Sequence, residues 1–226
     1  MIANLLNKIS RRIRNSSLYT RFFLHQKQRD ELHDFWRSPT DGNQPEMYIA
    51  DDERLRKRSD LLVQLLGAEA DRSLRILEVG CNAGRNLKHL FDKGFHQIEA
   101  IEISENAVAL FRERFPEVAS QVKIHVSPVE EIVRTFADNS FDVVFTMAVL
   151  EHIHTDSAWI FDELARIAKT TLITIEDEKG ISWRHFPRNF REIFEPCGLV
   201  QVHEIQCEDA VHGLGNQFFA RVFKKG

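Results

Sequence analysis

Apolar positions along residues 70–226 change period repeatedly. Short runs at 74–79, 98–103, 122–126, 141–146 and 171–175 are dense in Ile, Leu, Val and Phe, the pattern of strands buried on both faces. Between them lie stretches with helical spacing: from Gly84 through Leu90, 106–115, 156–167, and 189–197, the last stopped by Gly198. Two further strand-like runs, 199–207 and 217–223, follow each other without a convincing helix between them and predict a closing hairpin. Alternating strands and helices imply a parallel α/β sheet covered by helices on both faces, and the hairpin adds an antiparallel strand at or near one edge.

Upstream the pattern differs. Residues 51–67 read as a helix with Leu55, Leu61, Leu62, Leu65 and Leu66 on its apolar face and Gly67 at its end. Residues 25–50 set Phe35, Trp36, Pro39, Gly42, Pro45 and Tyr48 in a polar background, which predicts a loop or lid with short helical pieces. In residues 1–24, Ile2, Leu5, Leu6, Ile9 and Ile13 form a helical stripe with Lys8, Arg11, Arg12 and Arg14 mostly off it. The chain therefore divides into a basic N-terminal arm and lid segment, 1–50, and a main domain, 51–226.

Charge sharpens that division. Residues 1–29 hold seven Lys or Arg and no acid, while the remaining 197 residues carry 23 basic and 34 acidic side chains, a net of −11. An acidic body argues against nucleic acid as the partner. The arm suits packing on the body or on a second copy, contact with an anionic membrane surface, or, in a eukaryotic source, a mitochondrial transit peptide. Three scattered cysteines, Cys81, Cys197 and Cys207, form neither a disulfide framework nor a CxxC pair, so a reducing cytoplasm is the expected compartment and no metal site is expected.

The turn after the first strand, Glu78-Val79-Gly80-Cys81-Asn82-Ala83-Gly84, carries most of the functional argument. Gly80 allows a sharp turn, Gly84 allows close packing at the helix start, and backbone N–H groups collect there. A dinucleotide fingerprint needs glycine at 82 and 85, where Asn82 and Arg85 stand. Glu78 suits a ligand with an amino-acid end, whose ammonium needs acceptors. Glu102, at the end of the second strand and 22 residues after Gly80, stands at the interval where an acid meets ribose hydroxyls.

From about Leu74 to Phe223 the sequence resembles the class I S-adenosylmethionine-dependent methyltransferases of the small-molecule branch. The likeness rests on 78–84, on Ile101-Glu102-Ile103, and on Asn139-Ser140-Phe141-Asp142-Val143-Val144 with Val149-Leu150-Glu151-His152-Ile153. It implies a Rossmann-like, doubly wound, seven-stranded sheet and S-adenosylmethionine as cofactor. By the same resemblance Glu78, Gly80, Asn82 and Gly84 meet its amino-acid end, Glu102 and Ile103 its ribose, and Ser127, Val129 and Met147 line the rest of the site. Asn82 departs from the usual middle glycine, and Ser127 stands where members often have Asp; both features fit a non-catalytic relative as well.

His152 and Glu151 are the candidate acid–base pair for an acceptor that must lose a proton. His154 is read as solvent-facing. Tyr48, Glu176, Trp183, Arg184 and His185 are the candidate acceptor contacts, since aromatic faces beside cations suit a sugar, a ring or an anionic group. The expected activity is methyl transfer, O-methylation before N-methylation, to a small metabolite or to a carbohydrate or lipid-linked acceptor. Alternatives are a methyltransferase-like binding module and an RNA or protein methyltransferase docked by the arm. The Asn/Asp-Pro-Pro-aromatic pattern of base-amine methylation is missing at Met147-Ala148-Val149-Leu150.

Overall fold

The computed structural model describes residues 26–40, 42–67 and 69–226. The amphipathic basic stretch 1–24 lies outside the described residues. Helix α1 (Arg29–Arg37) is followed by a 3-10 turn at Pro45–Tyr48, so the lid segment does contain short helical pieces. Helix α2 (Glu53–Leu66) starts where the Asp52 carboxylate accepts the Arg54 N–H, and it buries Leu55, Leu61 and Leu62.

The body is one seven-stranded sheet in the order β3-β2-β1-β4-β5-β7-β6. Strand β1 (Ile76–Val79) is wholly buried and pairs in parallel with β2 (Ile98–Glu102) and β4 (Phe141–Met147). Strand β3 (Lys123–Val126) lies beyond β2, and β5 (Ala168–Asp177) beyond β4. The chain therefore works outward through β2 and β3, then returns to the other side of β1. That reversal opens a crevice at the carboxyl ends of β1 and β4, where open α/β sheets bind ligands.

Strand residues alternate between two cores, as the pleat demands. Ile76, Val143, Phe145 and Ile173 join one cluster with Leu62, Leu87 and Phe111. Leu77, Val79, Val144 and Leu172 join the other with Leu164, Phe190 and Phe194. The helices behind these clusters are α3 (Arg85–Asp92), α4 (Glu105–Arg114), the one-turn α5 (Pro116–Ala119) and α6 (Val129–Ile132), α7 (Ile160–Ile167) and α8 (Phe190–Phe194).

The hairpin puts its antiparallel strand near one edge as expected, and two expectations need correction: the absence of a helix before the last strand and the end of β5. The final strands, β6 (Leu199–Gln206) and β7 (Phe218–Lys225), are separated by a short helix, α9 (Asp209–His212), which packs on α2 through the Arg54–Asp209 ion pair. Strand β7 inserts between β5 and β6, antiparallel to both, so β6 forms the edge. Strand β5 runs past the expected end at residue 175 through Glu176 and Asp177, both buried strand residues.

Two glycines set how closely the β1–α3 turn approaches its neighbours. A Cβ on Gly80 would sit 2.4 Å from Val149 Cγ2, and one on Gly84 would sit 2.1 Å from Phe111 Cδ2; both residues have φ of +75°. Gly84→Val combines a left-handed backbone with a collision inside a packed core. It is expected to lower unfolding stability by roughly 2–4 kcal/mol, read as a lower urea midpoint at unchanged slope.

Candidate active site

A cleft opens at the switch point, lined by the β1–α3 turn, the ends of β2 and β4, and the α1 and 45–48 segments. The turn holds its shape through Glu102. One carboxylate oxygen accepts the Asn82 N–H at 2.7 Å, and the other accepts the Ser104 N–H at 2.8 Å. Asn82 adopts φ of +48° and folds its own Oδ1 onto the Ala83 N–H, so asparagine serves where the middle glycine is usual. Burial raises the Glu102 pKa, against the pull of the Ser104 and Asn82 bonds.

Glu78, at the end of β1, is 2 % exposed and faces the cleft. Its Oε1 accepts from Asn86 Nδ2 at 2.8 Å, while Oε2 is buried with no hydrogen-bond partner. Burial lifts its pKa to about 8. The network continues to Arg85, which donates to Ser59 Oγ, to Asn86 Oδ1 and, at 3.2 Å, to Met147 Sδ. Burial also pulls the Arg85 pKa down to about 10. An orphaned carboxylate oxygen and a dry guanidinium thus sit at one end of the cleft, acceptor and donor for an ammonium and a carboxylate. Arg85 was read from sequence only as a missing glycine; its position at the first turn of α3 was the available signal.

At the other end, Ile103, Ser127 and Val129 line the cleft as expected. The Ser127 N–H ties β3 to Glu102 O at 2.9 Å, and its hydroxyl donates to Pro128 O. The roof comes from the lid segment. His33 meets Glu130 at 3.2 Å, Ser104 Oγ donates to Arg37 O, and the Lys27 N–H donates to Trp183 O. Tyr48 lines the cleft, and burial raises its phenol pKa against the field of Arg184.

After β4 the backbone doubles back. Ala148 takes φ of +56°, a conformation that costs a non-glycine residue free energy. It is held by Glu176, whose Oε2 accepts the N–H groups of Val149 and Leu150, each at 2.9 Å, and of Glu151 at 3.4 Å. Glu176 is fully buried and does not line the cleft, so the expectation that it touches an acceptor is corrected: it positions the loop.

His152 does line the cleft, with the Trp36 ring 4.6 Å from its own. Its Nδ1–H donates to Arg184 O at 2.9 Å, which leaves Nε2 without a proton. Burial, then the neighbouring His185, lowers its pKa to about 3. Glu151 lies behind it, 3 % exposed, its Oε2 accepting the Asp177 N–H. Burial lifts the Glu151 pKa to about 8, but Glu151 does not line the cleft, and His152, which does, is too weak a base at that pKa to take a proton readily near neutrality. Trp183, Arg184 and His185 form a second layer behind Trp36 and His152 and do not themselves line the cleft. His154, expected in solvent, is buried at the cleft wall beside Phe186, where its Nδ1 accepts the Asp156 N–H.

A family model described as a methyltransferase domain matches residues 77–171. The chain is 26% identical over 150 residues to an uncharacterized protein of Haemophilus influenzae, a match covering 66% of this chain and 49% of that protein. It is 28% identical over 94 residues to phosphoethanolamine N-methyltransferase 2 of Caenorhabditis elegans, covering 42% of this chain and 21% of that one. The matched part thus spans about half the length of the first relative and about a fifth of the second. Magnesium protoporphyrin IX methyltransferase of Synechocystis, solved with bound S-adenosylmethionine, superposes with a TM-score of 0.69 at 17% identity, over 88% of this chain and 97% of that one. At that identity the likeness speaks for the fold.

Two substitutions test the site's construction. Folded Glu78 keeps its proton up to about pH 8, whereas an ordinary carboxyl loses it near 4.5. The folded state therefore binds the extra proton between those values, and stability falls as pH rises through 8. Glu78→Gln is expected to flatten that part of the decline and to leave the ligand-free protein at least as stable as the parent at pH 8, by thermal unfolding across pH. Glu176→Ala strips the acceptor from buried N–H groups and is expected to cost roughly 2–4 kcal/mol in urea unfolding.

Proposed function

We propose that this chain, which belongs to the class I S-adenosylmethionine-dependent methyltransferase family, methylates an oxygen of a small or medium-sized metabolite. The observation that carries the reading is the pairing at the two ends of the cleft: the orphaned Glu78 oxygen with Arg85 at one, and the Glu102 carboxylate at the other. S-adenosylmethionine supplies, when bound, a methyl group on a sulfonium, already attached to a good leaving group. Glu78 and Arg85 suit its ammonium and carboxylate. Glu102 accepts the Asn82 N–H at one oxygen and the Ser104 N–H at the other, and a carboxylate has lone pairs beyond these that suit ribose hydroxyls. Gly80 takes the left-handed backbone of the turn and lets it pack directly against Val149, which shapes the floor of the cleft.

What remains for the protein is alignment of the acceptor. Trp36, Tyr48 and His152 wall the acceptor side, with the Arg184 guanidinium behind them 5.4 Å from the Trp36 ring. Aromatic faces with cations behind them suit a hydroxylated or anionic acceptor, and a sugar or lipid-linked glycan is the class we favour. The roof made by α1 and the 45–48 turn favours a small molecule over a nucleic-acid strand or a protein surface. No helix among the described residues is long and apolar enough to cross a membrane. A cytoplasmic protein whose basic stretch 1–24 rests on an anionic membrane would have a lipid-linked acceptor within reach.

The degraded-site reading draws on Asn82 and Ser127. It loses support from an Asn82 that takes the left-handed backbone and from a Glu102 that is in place.

Calorimetric titration with S-adenosylmethionine and S-adenosylhomocysteine tests the reading. Micromolar binding is expected in the parent, with loss in Glu102→Ala at retained folding. Release of S-adenosylhomocysteine during a screen of sugars and lipid-linked glycans then identifies the acceptor. A folded parent that binds neither ligand would overturn the proposal.

A further inference from the structure

Behind the cleft wall, the adjacent Glu151 and His152 of the post-β4 turn converge with His185 from the loop after β5. The His152 Nε2 and the His185 Nε2 stand 3.5 Å and 3.6 Å from the same oxygen of Glu151, Oε1. One ligating atom from each of the three lies within 4.8 Å of the others.

Those distances decide between two explanations. A hydrogen bond from a carboxyl to an imidazole nitrogen closes to about 2.7–3.2 Å, and neither contact reaches it. Donors at about 2.0–2.1 Å from a tetrahedral zinc-class ion are separated by roughly 3.3–3.4 Å along each edge. The two contacts fall close to that edge.

The remaining atoms of the three side chains are already committed. His152 Nδ1 donates to Arg184 O, His185 Nδ1 pairs with Ser182 Oγ, and Glu151 Oε2 accepts the Asp177 N–H. Such outer bonds fix ring orientation and direct Nε2 at a metal in two-histidine, one-carboxylate sites. Glu151, Glu176 and Asp177 are all buried there, with Arg184 and Arg188 as the nearby cations; burial favours the protonated form of Glu151, so an ion that binds must displace that proton.

We propose that Glu151, His152 and His185 form a binding site for a divalent transition-metal ion of the zinc class. Three protein ligands leave a fourth position of a tetrahedral ion for water or another oxygen ligand. Because His152 belongs both to this cluster and to the cleft wall, that oxygen can come from the acceptor. This use rests on the methyltransferase reading; the binding of the ion does not. A metal-bound hydroxyl loses its proton at lower pH than a free one, which would supply the deprotonation for which no free base stands ready.

The experiment uses the full chain stripped with a chelator and then titrated with Zn²⁺ or Co²⁺ alone, by equilibrium dialysis and by the visible absorption of Co²⁺. The parent is expected to take up one equivalent that His185→Ala and Glu151→Gln each lose, or bind at least tenfold more weakly. The intense visible bands of tetrahedral Co²⁺ should disappear with it. Circular dichroism and melting confirm that the variants fold, and His185, being partly exposed on a loop, is the safer of the two. Failure of the parent to bind an equivalent, or an unchanged Co²⁺ spectrum in both folded variants, would overturn the proposal. A parallel titration of the metal-free parent with S-adenosylmethionine tests the functional reading separately, so either can fail without the other.

Discussion

Glu78 is the constraint around which the cleft is arranged: a carboxylate sunk at the end of a buried strand, with one oxygen satisfied and the other left without a donor. Such a group opposes folding unless something cationic meets it. The ligand-free protein copes by keeping it protonated to about pH 8 and by placing Arg85 nearby. On the proposed reading, a ligand ammonium would remove the burden. The feature that weakens the empty fold is therefore the one that favours the filled one, a familiar relation at functional sites.

The other parts of the site follow from the need to hold backbone around that carboxylate. Glu102 clamps the glycine turn from the side of β2, and Glu176 clamps the post-β4 loop from the side of β5. Each uses a buried carboxylate to gather backbone N–H groups and impose a left-handed residue, Asn82 in one case and Ala148 in the other. The lid segment closes the space between the two clamps, through Trp36 on His152 and His33 on Glu130. Position in the sheet, more than residue type, separates these roles. Glu176 is the penultimate residue of its strand as Glu78 is of its own, yet it binds backbone N–H groups and does not line the cleft.

Much of the sheet could be read from the chain because continuous apolar runs and glycine stops report directly on buried parallel strands. The turn at 78–84 and the place of Glu102 beside it were equally legible, because a βα turn imposes local rules on glycine and on spacing. What could not be read depended on contacts distant in sequence. The insertion of β7 between β5 and β6 leaves no local trace, and a four-residue helix such as α9 falls below the length at which periodicity registers. Three consecutive acids look alike whether solvated or buried, so Glu176 was mistaken for an acceptor contact. His185 lies 33 residues from His152 and meets it only because the loop after β5 folds back over the post-β4 turn.

Proton release on ligand binding tests the central claim most directly. S-adenosylmethionine is titrated at pH 6.5 in buffers of differing ionisation enthalpy, with the parent and with Glu78→Gln. If the ligand ammonium meets Glu78, the parent releases close to one proton per ligand bound, since a group with a pKa of about 8 must ionise, and the Gln variant releases none from this position. Binding whose enthalpy is independent of the buffer in the parent would contradict the account and would detach Glu78 from the amino-acid end of the cofactor.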